Sequence, residues 1–456
     1  MLQAIDPTTG RLVREVAPAD TAQVERILAA ADGAWRGWRD LGFAARADVL
    51  RRVAKIMRED VDRLALLMTE EMGKPRKEAV GEVVKAAWAA DHYAEHAQSY
   101  LVAQELKSDA TLSYVRHEPL GAILGILPWN APFWLAFRFA APALMAGNTC
   151  VMKHDSHVPG CAEAIAELFE QAGAPAGVFA NLPLENPQVE AVIRDERIQA
   201  VSFTGSERGG AAVASIAASE IKHAVLELGG SDPAIVLADA NLEEAADILT
   251  LSRIINAGQS CIAAKRIIVE DGVYDRFVDL MHERLAALVM GDPRDERTQV
   301  GPIARPDLRD NLHRQVRETI EAGARCLLGG EMPSGEGYFY PVTLLADVSN
   351  DMCAAREETF GPVAVLLRAA DEMDAVRIAN DTRYGLAAAV WSTATRGEVV
   401  ATRLEAGQVA VNGIVKTDPR LPSGGIKRSG FGRELGPHGI HEFVNAKQVW
   451  IGPKVE

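Results

Sequence analysis

Cys261 closes a run of small and polar residues, Asn256-Ala257-Gly258-Gln259-Ser260-Cys261. Upstream, Glu227 sits in Leu226-Glu227-Leu228-Gly229-Gly230, a carboxylate beside paired glycines, and Asn130 follows Pro128-Trp129. A thiolate can attack a carbonyl carbon, a carboxylate can take a proton from water, and a side-chain amide can donate a hydrogen bond to an oxyanion. These are the parts of a thiol-based acyl chemistry. The other cysteines keep different company: Cys150 and Cys161 lie in apolar surroundings, Cys326 precedes Leu327-Leu328, and Cys353 stands in an acidic, arginine-containing turn. Packing is the expected role of those four.

A thiol, a base and an amide this far apart in the chain need a framework to bring them together. From Gly121 onward, short apolar runs at 121–127, 149–152, 178–182, 200–204 and 224–228 alternate with helical patterns, which predicts a parallel sheet flanked by helices. A second alternation follows, with strands expected at 233–237 and 266–270 and helices at 242–255 and 274–289. Before these, Asp20 and Gln23 mark a helix start, and a further helical pattern runs over 44–72. Residues 101–118 and 447–451 read as strand. Arg138 is the only charged residue in the apolar stretch 119–152, yet Pro128, Pro132 and Pro142 argue for a buried element rather than a membrane span.

At 456 residues and 48% hydrophobic content, the chain is long enough for two domains. Five scattered cysteines without a close Cys-x-x-Cys pair suggest neither a disulfide framework nor a metal site, and a reducing cytoplasm fits them best. Residues 1–10 lack the basic start and apolar run of a signal peptide. A net charge of −15 makes nucleic acid an unfavourable partner.

No Gly-x-Gly-x-x-Gly follows any expected strand. Instead Phe203-Thr204-Gly205-Ser206-Glu207-Arg208-Gly209-Gly210 leaves a strand and opens a helix, where free amides and the helix dipole suit a pyrophosphate. Lys153 ends a strand, a usual place for ligand contacts. Arg138 is a guanidinium in an apolar segment, so it must be paired or face a cavity. If 132–144 is helical, Trp134 and Arg138 share a face. Two readings of Arg138 stay open on physics alone: a carboxylate anchor for the substrate, or one half of a structural ion pair.

In order and wording these motifs resemble the aldehyde dehydrogenase superfamily, from about Asp6 to Trp450. The resemblance implies two Rossmann-like α/β domains and a small β oligomerisation arm. The dinucleotide-binding domain would take 1–102 and 120–229, the catalytic domain 230–429, and the arm 103–119 and 430–456, in a homodimer or homotetramer. It also implies a cycle in which Cys261 attacks an aldehyde, Asn130 and the Cys261 amide meet the oxyanion, hydride passes to NAD(P)+, and Glu227 activates the water that hydrolyses the thioester. Trp129, Lys153, Ser156, Thr204, Gly205, Ser206, Gly210, Leu228, Gly229, Glu358 and Phe360 fall at cofactor positions. The family often has glutamate where this chain has Ser156; serine would spare a 2′-phosphate that repulsion, so NADP is favoured over NAD.

The phrases 134–147, 226–232, 290–295 and 429–435 are most similar to shorter bacterial succinate-semialdehyde dehydrogenases, which implies Trp134, Arg138, Ser260 and Thr417 in the substrate pocket. Ala131 and Ser423 depart from the larger aromatics common at their positions and leave the pocket's shape open. Glutarate semialdehyde or an uncharged aldehyde are alternatives. Transfer to coenzyme A is opposed by Glu227, and a silent binding relative by the joint presence of Cys261, Glu227 and Asn130.

Overall fold

The computed structural model describes residues 1–452. Two large sheets carry the fold. In the six-stranded sheet the order is Gly430–Phe431, His223–Glu227, Ile198–Thr204, Ala122–Leu127, Thr149–His154, Phe179–Asn181, parallel except for the first strand. The chain enters at Ala122–Leu127, steps outward through Thr149–His154 and Phe179–Asn181, then returns to the other side of its starting strand. That reversal opens a crevice at the carboxyl edge, between the strands ending at Leu127 and Thr204. Every residue of Ala122–Leu127 and Thr149–His154 is buried, which explains why 122–127 and 150–152 read as continuous apolar runs rather than alternating ones.

The seven-stranded sheet runs Arg325–Leu328, Thr343–Ala346, Val363–Ala369, Arg266–Glu270, Pro233–Val236, Ala387–Trp391, Gln408–Val411, with only Arg325–Leu328 antiparallel. Residues 228–232, with the paired glycines, pass from the last parallel strand of one sheet to the first of the other.

The apolar stretch resolves into strand, helix and strand. Its helix, Pro132–Ala146, is buried along its whole length and stops at Gly147, whose φ of 102° suits a residue without a Cβ. Pro132 occupies the first turn, where its missing amide costs nothing. The amides of Phe133 and Trp134 donate to Glu82 Oε1 at 2.9 and 3.2 Å, and Lys74 pairs with that same carboxylate. Glu82 belongs to the helix Arg76–Tyr100, so this contact fixes where Trp134 and Arg138 point. Among the described residues no helix is long and apolar enough to cross a membrane.

Several local expectations are corrected. The pattern over 44–72 is two helices, Gly42–Glu59 and Val61–Met72, broken at Asp60 with φ −107° and ψ 19°; its side chain accepts from Arg63 Nε at 2.7 Å. The strand expected over 101–118 is Gln104–Glu105 and Leu112–Pro119, because Ser108 draws the intervening residues into a turn through bonds to Ala110 N and Ser113 Oγ. Leu112–Pro119 pairs antiparallel with Val444–Ile451, and Val102, Leu106 and Trp450 near this small sheet are exposed. An N-terminal hairpin, Leu2–Asp6 with Arg11–Val16, had no counterpart in the sequence reading. Cys150 and Cys161 are buried as packing residues, but Cys326 is exposed on the edge strand.

Candidate active site

The thiol loop is built on an unusual backbone. After the helix Leu242–Ile254, three consecutive residues take left-handed conformations: Asn256 at φ 54°, Ala257 at 52° and Gly258 at 77°. For the first two this costs on the order of 1–2 kcal/mol each, so the surroundings must over-determine it. They do. Asn256 Nδ2 donates to Asn130 O at 2.9 Å and its amide to Glu78 Oε2 at 2.7 Å. Arg253, fully buried, donates to Gly258 O at 2.7 Å and Ala264 O at 3.1 Å. Lys265 Nζ donates to Ser260 O and Cys261 O at 3.0 and 2.6 Å. A Cβ on Gly258 would lie 2.2 Å from Gly361 O, so only glycine fits. The result is a rigid turn that leaves Cys261 half-buried rather than in the core.

Asn130 follows the strand Ala122–Leu127 and meets this loop directly: its Nδ2 donates to Gln259 O at 3.1 Å. Its own carbonyl is held by Lys74 Nζ at 2.8 Å. Glu227 ends the strand His223–Glu227, two places along the same sheet, and lies almost wholly buried. Arg138 NH2 reaches its Oε2 at 3.3 Å and Glu434 Oε2 at 2.6 Å, while Glu227 Oε1 and Arg138 Nε have no partner. Two carboxylates thus share one guanidinium. Burial raises Glu227 to about 7, against the pull of Arg138 and with the help of Glu434. Burial likewise raises Cys261 to about 11, although Lys265 and Arg138 pull it down. The charges of Lys265, Arg138, Glu358 and Glu227 all act on the thiol, and Asn130 reaches the same loop through Gln259 O.

Most cofactor candidates follow the carboxyl ends of strands in the six-stranded sheet, while Glu358 and Phe360 precede Val363–Ala369 of the other sheet. Thr204 Oγ1 and Asn181 Oδ1 are buried there without partners. Ser206 caps the helix Glu207–Ser219, accepting from Gly209 N. Close approach explains the glycines: a Cβ on Gly210 would stand 2.5 Å from Leu228, and one on Gly229 2.1 Å from Glu358 Oε2. Glu358 accepts from Gly230 N at 3.2 Å and lies 3.4 Å from Lys265 Nζ. Phe360 meets Trp129 edge to face at 5.9 Å. Lys153, buried beside the edge, donates to Asn186 Oδ1 at 3.1 Å, and Ser156 is half-buried nearby in sequence with His157, which pairs with Asp155. Open polar atoms, bare glycine backbone and a capped helix start fit a bound dinucleotide.

A sequence model of the aldehyde dehydrogenase family matches residues 1–449. The chain belongs to the aldehyde dehydrogenase family. Over 99% of both chains it is 46% identical to a probable succinate-semialdehyde dehydrogenase [NADP(+)] of Synechocystis. It is 45% identical to the succinate semialdehyde dehydrogenase [NAD(P)+] Sad of Escherichia coli K12, covering 98% of this chain and 97% of that one. The crystal structure of succinic semialdehyde dehydrogenase from Streptococcus pyogenes in complex with NADP+ superposes with a TM-score of 0.97 at 36% identity, covering 99% of this chain and 100% of that one. This aldehyde dehydrogenase fold therefore extends over the chain, with parallel sheets and the extra antiparallel pieces described above.

Of the pocket candidates, Trp134 and Thr417 converge on one side chain, Lys85. Ser260 is fixed through its carbonyl by Lys265. Arg138 realises the ion-pair alternative and still keeps a donor free. Sequence reading assigned no role to Glu434, Lys265, Lys85, Lys74 or Glu82. A signal existed for Lys85, a charge set among Val83, Val84, Ala86 and Ala87, the same kind of signal that marked Arg138.

Proposed function

We propose that this enzyme oxidises succinic semialdehyde to the dicarboxylate with NADP+, through Cys261. The carrying observation is the convergence of the Cys261 loop, Asn130 and the Arg138–Glu227–Glu434 cluster at the crevice. The bound nicotinamide supplies a hydride acceptor. Cys261 adds to the aldehyde carbon as its thiol proton passes to solvent water, and the oxyanion is met by the Asn130 amide and the Cys261 backbone N–H. After hydride is lost from that carbon the acyl group remains on sulfur as a thioester. Glu227, at about 7, takes a proton from water at its unpartnered Oε1 and the water displaces the thiol. Arg138 limits the cost of ionising Glu227, and Glu434 tempers that help, which keeps the base near working pH.

The four-carbon substrate is supported by the names of relatives at 44–46% identity. NADP is supported by Ser156, which puts a hydroxyl where a glutamate would repel a 2′-phosphate. Residues 1–102 and 120–229 are assigned to the dinucleotide domain, 230–429 to the catalytic domain, and 103–119 with 430–456 to an arm joining copies of the chain in a homodimer or homotetramer. Within that last range 453–456 lie outside the described residues, and Gly430–Phe431 pairs with the dinucleotide sheet. Exposed apolar side chains by the small sheet support the arm, and five unpaired cysteines support a reducing, cytoplasmic location. Absorbance at 340 nm with succinic and glutaric semialdehydes and uncharged aldehydes, with both nucleotides and with or without coenzyme A, tests the reading. Highest kcat/KM for succinic semialdehyde with NADP+ and no need for coenzyme A is expected; equal rates for charged and uncharged aldehydes would overturn the substrate, and absence of reduced nucleotide would overturn the activity.

A further inference from the structure

Lys85 is a half-buried lysine in the helix Arg76–Tyr100. Its ammonium stands 4.2 Å from the centre of the Trp134 ring and donates to Thr417 Oγ1 at 2.9 Å. An ammonium carries three donors, so two remain after the Thr417 bond. No carboxylate lies within ion-pair distance of it among the described residues. The acids nearest in charge are already committed: Glu82 to Lys74 and the amides that start the helix Pro132–Ala146, and Asp418 to Arg420 at 2.6 Å. The other charges that bear on it, Arg138 and Lys416, are cations.

Partly withdrawing an ammonium without an anionic partner from water near two other cations is unfavourable, and burial with Arg138 lowers Lys85 to about 8. A packing role would be served better by methionine or leucine, which would lie on Trp134 without that cost. The placement becomes favourable when an anion enters. Trp134 and Arg138 lie one helical turn apart on the same buried helix, and Arg138 also bears on Cys261. Lys85 lies against Trp134, one turn along that helix from Arg138, whose charge acts on the thiol.

We infer that Lys85 is a specificity-determining residue that binds the carboxylate at the far end of the substrate, with the Thr417 hydroxyl as its positioning partner and Trp134 as the wall beneath it. This rests on the semialdehyde reading above and deepens it: Arg138 is divided between two glutamates, whereas Lys85 has no anionic partner of its own. Selection for a charged aldehyde then comes chiefly from Lys85.

The test compares kcat/KM for succinic semialdehyde with that for butanal, in the full-length enzyme and in Lys85→Met, Lys85→Arg and Lys85→Glu. Loss of one desolvated, charge-assisted contact predicts a fall in that ratio of roughly 10- to 100-fold in Lys85→Met. Most of the ratio should return in Lys85→Arg, and Lys85→Glu should lower it further than methionine does. Should a variant be too damaged to turn over, protection against thermal unfolding by succinate, set against butyrate, reads the same site; succinate should protect wild type and Lys85→Arg more than Lys85→Met. Wild type with a high ratio and Lys85→Met with the same ratio would overturn this inference alone. Wild type that treats the two aldehydes alike would overturn the substrate reading and the inference with it.

Discussion

Replacing Glu227 with glutamine should abolish steady turnover yet make the protein more stable, and only at neutral and alkaline pH. Glu227 is buried in a cluster of two carboxylates around one guanidinium, so the ionised cluster carries an uncompensated negative charge. Its carboxyl is raised from 4.5 to about 7. At about 1.4 kcal/mol for each pH unit, the ionised form is destabilised by folding by on the order of 3–4 kcal/mol. Because the folded value lies above the unfolded one, the folded protein holds the proton more tightly between pH 4.5 and 7. Stability therefore falls as pH rises through that window, and above 7 the cost is fully present. Glutamine keeps the shape and an oxygen for Arg138, and leaves Arg138 and Glu434 as a one-to-one pair. Unfolding by denaturant at pH 8 should show Glu227→Gln ahead of wild type, with the gap closing toward pH 5. A variant less stable than wild type at pH 8, or a gap that ignores pH, would refute the electrostatic account of this site.

Asn130→Ala should lower kcat by on the order of 100- to 1000-fold, the usual loss of one oxyanion donor, measured by NADPH formation at saturating aldehyde. Ser156→Glu should raise KM for NADP+ far more than for NAD+, through a carboxylate set against the 2′-phosphate; kcat/KM ratios for the two nucleotides check it. Where thioester hydrolysis limits turnover, kcat should rise as pH passes about 7 and Glu227 loses its proton, a profile that Glu227→Gln lacks. Gly229→Ala places a methyl 2.1 Å from Glu358 Oε2 and displaces that carboxylate from Gly230 N and Lys265, so KM for NADP+ should rise with little change in thermal unfolding.

What the sequence makes legible here is local. Pro132 at a helix start, with Trp134 and Arg138 one turn apart, is a pattern in neighbouring residues, and the helix Pro132–Ala146 follows it. The buried strands announce themselves as short apolar runs because helices cover both faces of a parallel sheet. Asp20 and Gln23 form the capping box that their spacing suggests. The break at Asp60 is less legible, since apolar spacing continues across it and only a side-chain bond to Arg63 marks the interruption. The site divides in the same way. Cys261, Glu227 and Asn130 stand in distinctive short phrases, but the left-handed turn at 256–258 depends on Glu78 and Gly361 from other segments as well as on Arg253 just before it. Glu434 and Arg138 meet only after the tail returns to the sheet edge, and Lys85 acquires its meaning from Trp134 and Thr417, which reach it from two other parts of the chain.

The central claim, that an acyl group rests on Cys261 until Glu227 supplies an activated water, is tested most directly by mixing Glu227→Gln with excess succinic semialdehyde and NADP+. One equivalent of NADPH per active site should form in a burst and then stop, with intact-mass analysis locating one succinyl group on Cys261. Continued turnover at the wild-type rate, or a full burst with no acyl group on that cysteine, would contradict it.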